Sequence, residues 1–177
     1  MANGILKVGE ITTSSGSGNI TIGSGVTLLS NVPAFEAYLS ADQTVTDATI
    51  TKCQFDTKRF DTDNAYDNST DYRFTPQVAG KYFIYSYILF EADADNRLAG
   101  AQIYIYKNGS QVNDLQTQFY TNYEKKHTPL INSIVDLNGS TDYVEIFGWN
   151  NVTTGTATFG GSSSKGQTIF GAYRIGA

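Results

Sequence analysis

Charged side chains are scarce: they make up 16% of the 177 residues, against about a quarter in ordinary soluble domains. Histidine, cysteine and tryptophan occur once each, and each scarcity excludes something. His127 stands alone in EKKHTP beside two lysines, with no serine or cysteine motif to serve, so it reads as a solvated loop residue and not as a general base. Cys53 cannot form an internal disulfide and reads as a small side chain in a strand. No metal-spaced His/Cys set, phosphate loop or nucleophile elbow is present. Two carboxylates alone would suffice for a glycosidase, but here the acidic residues cluster in loops that imply no pocket. The chain is therefore expected not to be an enzyme. A net charge of −5 without any basic run argues against nucleic acid as a partner. No segment approaches the roughly 18 apolar residues of a membrane span. MANGILKVGE lacks the apolar core of a secretory signal, so synthesis and folding in a cytoplasm are expected.

Aromatics, by contrast, are abundant at 13%, with 12 Tyr and 10 Phe, a mixture that favours strands. From Pro33 onward, strand-like runs recur with turn signals between them: FEAYLSA, KCQFDTKRFDT, YRFTP, GKYFIYSYILF, AQIYIYKNGSQV, TQFYTNY, TPLINSIVDL, YVEIFGWNN, GTATF and QTIFGAYRIG. Asn108-Gly109 is a strong hairpin signal and Asn138-Gly139 marks a second turn. No segment sustains a 3.6-residue period. Roughly ten short strands at regular spacing imply an all-β antiparallel sandwich or barrel. Residues 1–32 differ. They contain no aromatic residue and two short alternating runs around SSGSG, which read as a β arm whose strands need partners, with Ile5, Val8, Ile20, Ile22 and Leu28 as its apolar side chains.

Side chains on a strand alternate between its two faces, so a half-buried strand should alternate apolar and polar. GKYFIYSYILF does not: Tyr82, Ile84, Ile88 and Phe90 fall on one face with Ser86, and Phe83, Tyr85, Tyr87 and Leu89 on the other. Ile103 and Ile105 likewise oppose Tyr104 and Tyr106, and Val144 and Ile146 oppose Tyr143, Phe147 and Trp149. A two-layer sandwich uses one apolar face per sheet. The second, tyrosine-rich face is the kind that another subunit covers, since tyrosine joins apolar area to a hydroxyl handle. Burying about three such tyrosines per subunit offers roughly 11–19 kcal/mol before association costs, enough for an obligate oligomer.

These residues also carry a family likeness. YDNSTDYRFTPQVAGKYFIYSYILF resembles the signature of the globular head of complement subcomponent one-q, and AQIYIYKNGSQV and QTIFGAYRIG are similar to its next hairpin and its closing strand. That likeness spans residues 33–177. It implies a ten-stranded jelly roll, shared with tumour necrosis factor, that forms compact homotrimers. It further implies core roles for Phe74, Gly80, Tyr82 and Phe170, and places Phe83, Tyr85 and Tyr87, or the opposite set, at the threefold axis. Tyr104, Tyr106, Tyr143 and Phe147 join them as expected trimer contacts. The arm, KVGEITTSSGSGNITIGSGVTLL, resembles N-terminal arms of structural proteins of tailed bacteriophages. Animal members of the head family carry a signal peptide and often a collagen stalk, whereas virion proteins assemble in the host cytoplasm.

Glu91, Asp93 and Asp95 share one short loop. Calcium takes several oxygens, and some members of the family hold it near the trimer apex. The segment lacks the glycine turn and closing glutamate of a helix–loop–helix site and reads as a solvated acidic loop, so no cofactor is expected and calcium is the alternative. DTDNAYDNSTD reads in the same way. Five N-x-[ST] triplets, at Asn19, Asn68, Asn108, Asn138 and Asn151, are ordinary turn chemistry. The chain is accordingly expected to be a trimeric bacteriophage virion surface protein, a capsid decoration or head fibre anchored by residues 1–32 to another virion protein, with the jelly roll outward. Two alternatives stand beside this: a tail-borne tip that binds a host-surface glycan or protein, and a non-viral lectin-like binding module.

Overall fold

The computed structural model describes residues 32–177. The arm residues Ile5, Val8, Ile20, Ile22 and Leu28 lie outside the described residues. Within them the chain forms fifteen strand segments and no helix. In chain order these are β1 (Ala34–Tyr38), β2 (Gln43–Val45), β3 (Thr51–Lys52), β4 (Thr57–Asp61), β5 (Tyr66–Asp67), β6 (Arg73–Phe74), β7 (Gly80–Tyr87) and β8 (Leu89–Ala92). They continue as β9 (Leu98–Lys107), β10 (Ser110–Gln118), β11 (Lys126–His127), β12 (Leu130–Leu137), β13 (Val144–Val152), β14 (Ala157–Gly160) and β15 (Ile169–Gly176). All pair antiparallel, in three sheets: β12-β7-β15-β1-β4, then β10-β9-β13-β6-β5 with β3 beside β13, and β11-β8-β14-β2.

The first two sheets face each other across one core. Phe35 on β1 stacks on Tyr66 (4.7 Å between centroids) and on Phe74 (4.5 Å), and meets the edge of Phe170 at 4.8 Å. Phe74, Tyr82 and Phe170 are buried there, as the resemblance implies. Gly80 opens β7 at φ 150°, where an added Cβ would strike the Gly176 carbonyl, so glycine is required.

More segments appear than the ten expected because apolar runs pass from one sheet to another. GKYFIYSYILF is two strands: at Ile88 the chain leaves the first sheet, where β7 lies, for the third, where β8 lies. A buried hydroxyl stabilises this break. Thr168 Oγ1 accepts the Leu89 N–H at 2.9 Å and donates to the Gly160 carbonyl at 2.6 Å, satisfying groups that the ladder abandons. Ser86, the odd polar residue of the buried face, donates to the Ile169 carbonyl at 2.7 Å. KCQFDTKRFDT similarly breaks after Lys52, and TQFYTNY is strand only to Gln118. The Asn108-Gly109 hairpin forms as expected, with positive φ at both residues (52° and 77°). Asn138-Gly139 instead connects β12 in the first sheet to β13 in the second.

The YDNSTD turn after β5 is organised by one carboxylate. Asp67 accepts the N–H groups of Ser69 (2.9 Å), Thr70 (3.0 Å) and Asp71 (3.1 Å). Those donors, Ser69 and Thr70 foremost, hold its carboxyl down at about 2, below the ordinary 3.8. A folded-state value below the unfolded one means that the stabilisation is complete above about pH 4 and is lost as pH falls towards about 2. Asp67→Asn should lower the melting temperature at neutral pH and flatten its decline over that acid window. An unchanged decline would show that the turn contributes nothing to acid sensitivity.

Candidate oligomer interface

β7 lies between β12 and β15, and its odd-numbered side chains emerge on the outer face of the first sheet. In register, Phe83 lies beside Ile134 and Tyr173, Tyr85 beside Asn132 and Gly171, and Tyr87 beside Leu130 and Ile169. Phe83 reaches Tyr173 at 5.4 Å and Tyr85 at 6.2 Å between ring centroids. The result is a continuous apolar surface. Ile134 is 59% exposed, Leu130 55%, Ile175 47% and Tyr173 44%.

The hydroxyls of Tyr85 and Tyr87 are tied down within the chain. Tyr85 donates to Glu36 Oε2 at 2.8 Å, and Glu36 is ion-paired with Arg59, which lies over the Tyr38 ring at 5.5 Å. Burial first, then the hydrogen bond to the Glu36 carboxylate, pushes the Tyr85 phenol well above its usual range. Tyr87 donates to the Gly166 carbonyl at 3.0 Å, and burial raises its phenol too. Gly171 makes room for the arrangement, since a Cβ there would meet the Tyr85 ring. With the hydroxyls satisfied internally, the rings present apolar area whose rotamers are already fixed. That lowers the ordering cost of covering it.

Tyr104, Tyr106, Tyr143 and Phe147 are not brought to this face. Tyr104, Tyr106 and Phe147 lie on the outer side of the second sheet, across the core from Phe83, Tyr85 and Tyr87, and Tyr143 immediately precedes β13 of that sheet. Tyr106 packs on Phe147 at 4.6 Å and Tyr104 is only 6% exposed. The chain's own cations cover part of the surface: Lys52 of β3 lies over Phe147 at 5.7 Å and Arg73 over Tyr143 at 4.6 Å. Lys52 is also paired with the buried Glu145. Leu130, Ile134, Tyr173 and Ile175 are the members of the first face that the sequence reading missed. The doubly apolar alternation of LINSIVDL, with Leu130 and Ile134 opposite Ile131, Val135 and Leu137, carried the signal.

Glu91 does not share the loop with Asp93 and Asp95 as expected but lies in β8, because that strand runs on to Ala92, and each of the three carboxylates faces a different cation. Glu91 pairs with Lys126, Asp93 with Arg97 at 2.9 Å and Asp95 with Lys125 at 3.9 Å. Among the described residues no three His, Cys, Asp or Glu side chains converge as metal ligands. His127 is not the solvated loop residue expected: it lies in β11, half-buried against the edge of Phe119 (5.3 Å), with Nε2 3.1 Å from Thr117 Oγ1. Burial lowers its pKa. Cys53 is fully buried, and burial raises its thiol well above the usual value.

No family model matches the chain, and no curated protein matches it. Solved structures do. The Eiger TNF of S. frugiperda superposes with a TM-score of 0.59 at 9% identity, covering 81% of this chain and 92% of that one. The globular domain of zebrafish complement 1qA protein gives 0.55 at 14% identity, over 81% and 97%. Murine APRIL gives 0.57 at 11% identity, over 82% and 100%. Residues 32–177 thus have the jelly-roll fold of the tumour necrosis factor and complement one-q domains, and at these identities the likeness is one of fold.

Proposed function

We propose that the chain is a non-catalytic assembly protein of a bacteriophage virion surface, a homotrimer that acts as a capsid decoration or head fibre anchored through residues 1–32. The observation that carries this reading is the outer face of the first sheet, Phe83, Tyr85, Leu130, Ile134 and Tyr173. An apolar patch of this size is covered in a stable soluble protein. A second copy is the occupant that the chain's own surface suits. The margin where β12 and β10 lie exposes Leu130, Ile134, Val112 and Leu115. Setting that margin of one copy against the aromatic face of the next makes a head-to-tail contact, which closes into a three-membered ring when each copy is rotated by a third of a turn. The likeness of the arm to phage structural proteins supports the virion placement. The test is labelling of intact, purified phage particles with antibody against residues 33–177. Regular labelling of heads supports the reading, label on tail tips alone would move the protein to host adhesion, and unlabelled particles would refute the virion role.

A further inference from the structure

A polar cleft opens where β4 ends the first sheet and β5 ends the second, at the margin away from β12 and β10. Its volume is about 480 Å³, within the range of small-molecule sites. Lys58, Asn64, Asp67, Asn68, Asp71, Arg73 and Gln77 are among the residues that line it. The two cations and two carboxylates balance, so the cleft offers no net charge to an ion.

Nor are those charges available. Lys58 Nζ is 3.0 Å from Asp61 Oδ2, Arg73 is paired with Asp71 at 3.0 Å, and the Asp67 carboxylate is occupied by the N–H groups of its own turn. The amides are left half-used. Asn64 gives its oxygen to Lys58 (3.0 Å) and keeps its NH₂. Asn68 donates its NH₂ to the Asp56 carbonyl (2.7 Å) and Gln77 to that of Thr75 (3.1 Å), so both keep their oxygens. An amide carries two N–H donors and two acceptor sites, so all three keep both donor and acceptor capacity on the walls of a single cleft, which matches hydroxyl groups, each of which donates and accepts.

The walls are held rigidly. Asn64 and Tyr72 adopt left-handed backbone conformations (φ 53° and 50°), the latter uncommon for a bulky residue. Asp61 fixes one wall by accepting the N–H groups of Ala65 and Tyr66 (3.0 and 3.1 Å), and Asp67 fixes the other. Backbone strain maintained by surrounding hydrogen bonds is the pattern of a ligand clamp. Arg73 Cζ lies 4.6 Å from the centre of the Tyr143 ring, a cation–π contact that helps to hold its side chain.

We infer that this cleft binds a neutral, polyhydroxylated ligand, a saccharide, through the amides of Asn64, Asn68 and Gln77. The inference goes beyond the assembly reading and depends on neither the trimer nor the virion placement. The full chain is applied to a printed array of defined neutral, sulfated and sialylated oligosaccharides, and the retained neutral sugar is then titrated by calorimetry. Asn64→Gly, which suits the left-handed backbone, and Gln77→Ala alter exposed residues, so melting curves should match the parent. Each variant should weaken binding by about tenfold. Retention of charged sugars alone, no retention at all, or a neutral sugar bound equally by both variants and the parent would overturn the inference.

Discussion

Tyr85→Asp and Tyr87→Asp together are expected to convert a single oligomeric species into folded monomer or aggregate. In the isolated chain both rings sit on a half-exposed surface, so the carboxylates could remain hydrated. In the assembled protein they would be enclosed, and an uncompensated buried charge costs about 3–5 kcal/mol. Each subunit contributes two, which exceeds what marginal association can absorb. The aspartate at 85 also replaces a hydroxyl that donates to Glu36 with a second anion beside it. Two controls separate assembly from folding. Tyr85→Phe removes only that hydrogen bond and should cost about 1 kcal/mol while keeping the oligomer. Ile134→Asp alters a side chain 59% exposed in the single chain, so it should leave the subunit's own stability within about 0.5 kcal/mol yet weaken association sharply. If the double aspartate variant and Ile134→Asp both keep the parent's sedimentation, the first sheet's outer face is removed from the interface.

Deleting residues 1–32 should leave a soluble, thermally stable protein of 33–177 that no longer enters particles. Among the described residues the buried core runs from Phe35 to Ala172 and the strands begin at Ala34, so this described core stays whole. The arm's Ile5, Val8, Ile20, Ile22 and Leu28 are too few to bury a core of their own, and isolated two-stranded units are marginal. On the proposed virion reading, three arms brought together, or one added to a virion protein's sheet edge, would supply the missing partners. Occupancy on particles, compared by gel densitometry for full-length and truncated protein, should fall to background. Normal occupancy of the truncated protein would place the anchor in the jelly roll.

Much of this architecture was legible in the residues. Period-2 alternation, tyrosine and phenylalanine content and the Asn108-Gly109 turn were enough for an antiparallel β fold. The two apolar faces of β7 were visible in Phe83, Tyr85 and Tyr87 against Tyr82 and Ile84. Alternation does not say which sheet a strand joins, however. For that reason the residues alone do not show that Tyr104, Tyr106 and Phe147 lie across the core from Phe83, Tyr85 and Tyr87. The break at Ile88 was hidden because no glycine or proline marks it, and the group that stabilises it, the Thr168 hydroxyl, lies far along the chain. The cleft was hidden for a related reason. It depends on a left-handed tyrosine, Tyr72, that no turn rule anticipates, and on amide hydrogen bonds fixed only once β4 and β5 are adjacent.

Sedimentation velocity of the full-length protein at micromolar concentration tests most directly whether a second copy covers the aromatic face. The expected result is one species with the mass of three chains, unchanged on dilution through that range. A single-chain species with a cooperative melt would contradict it, because Phe83, Tyr85, Ile134 and Tyr173 would then be stable in water without a partner.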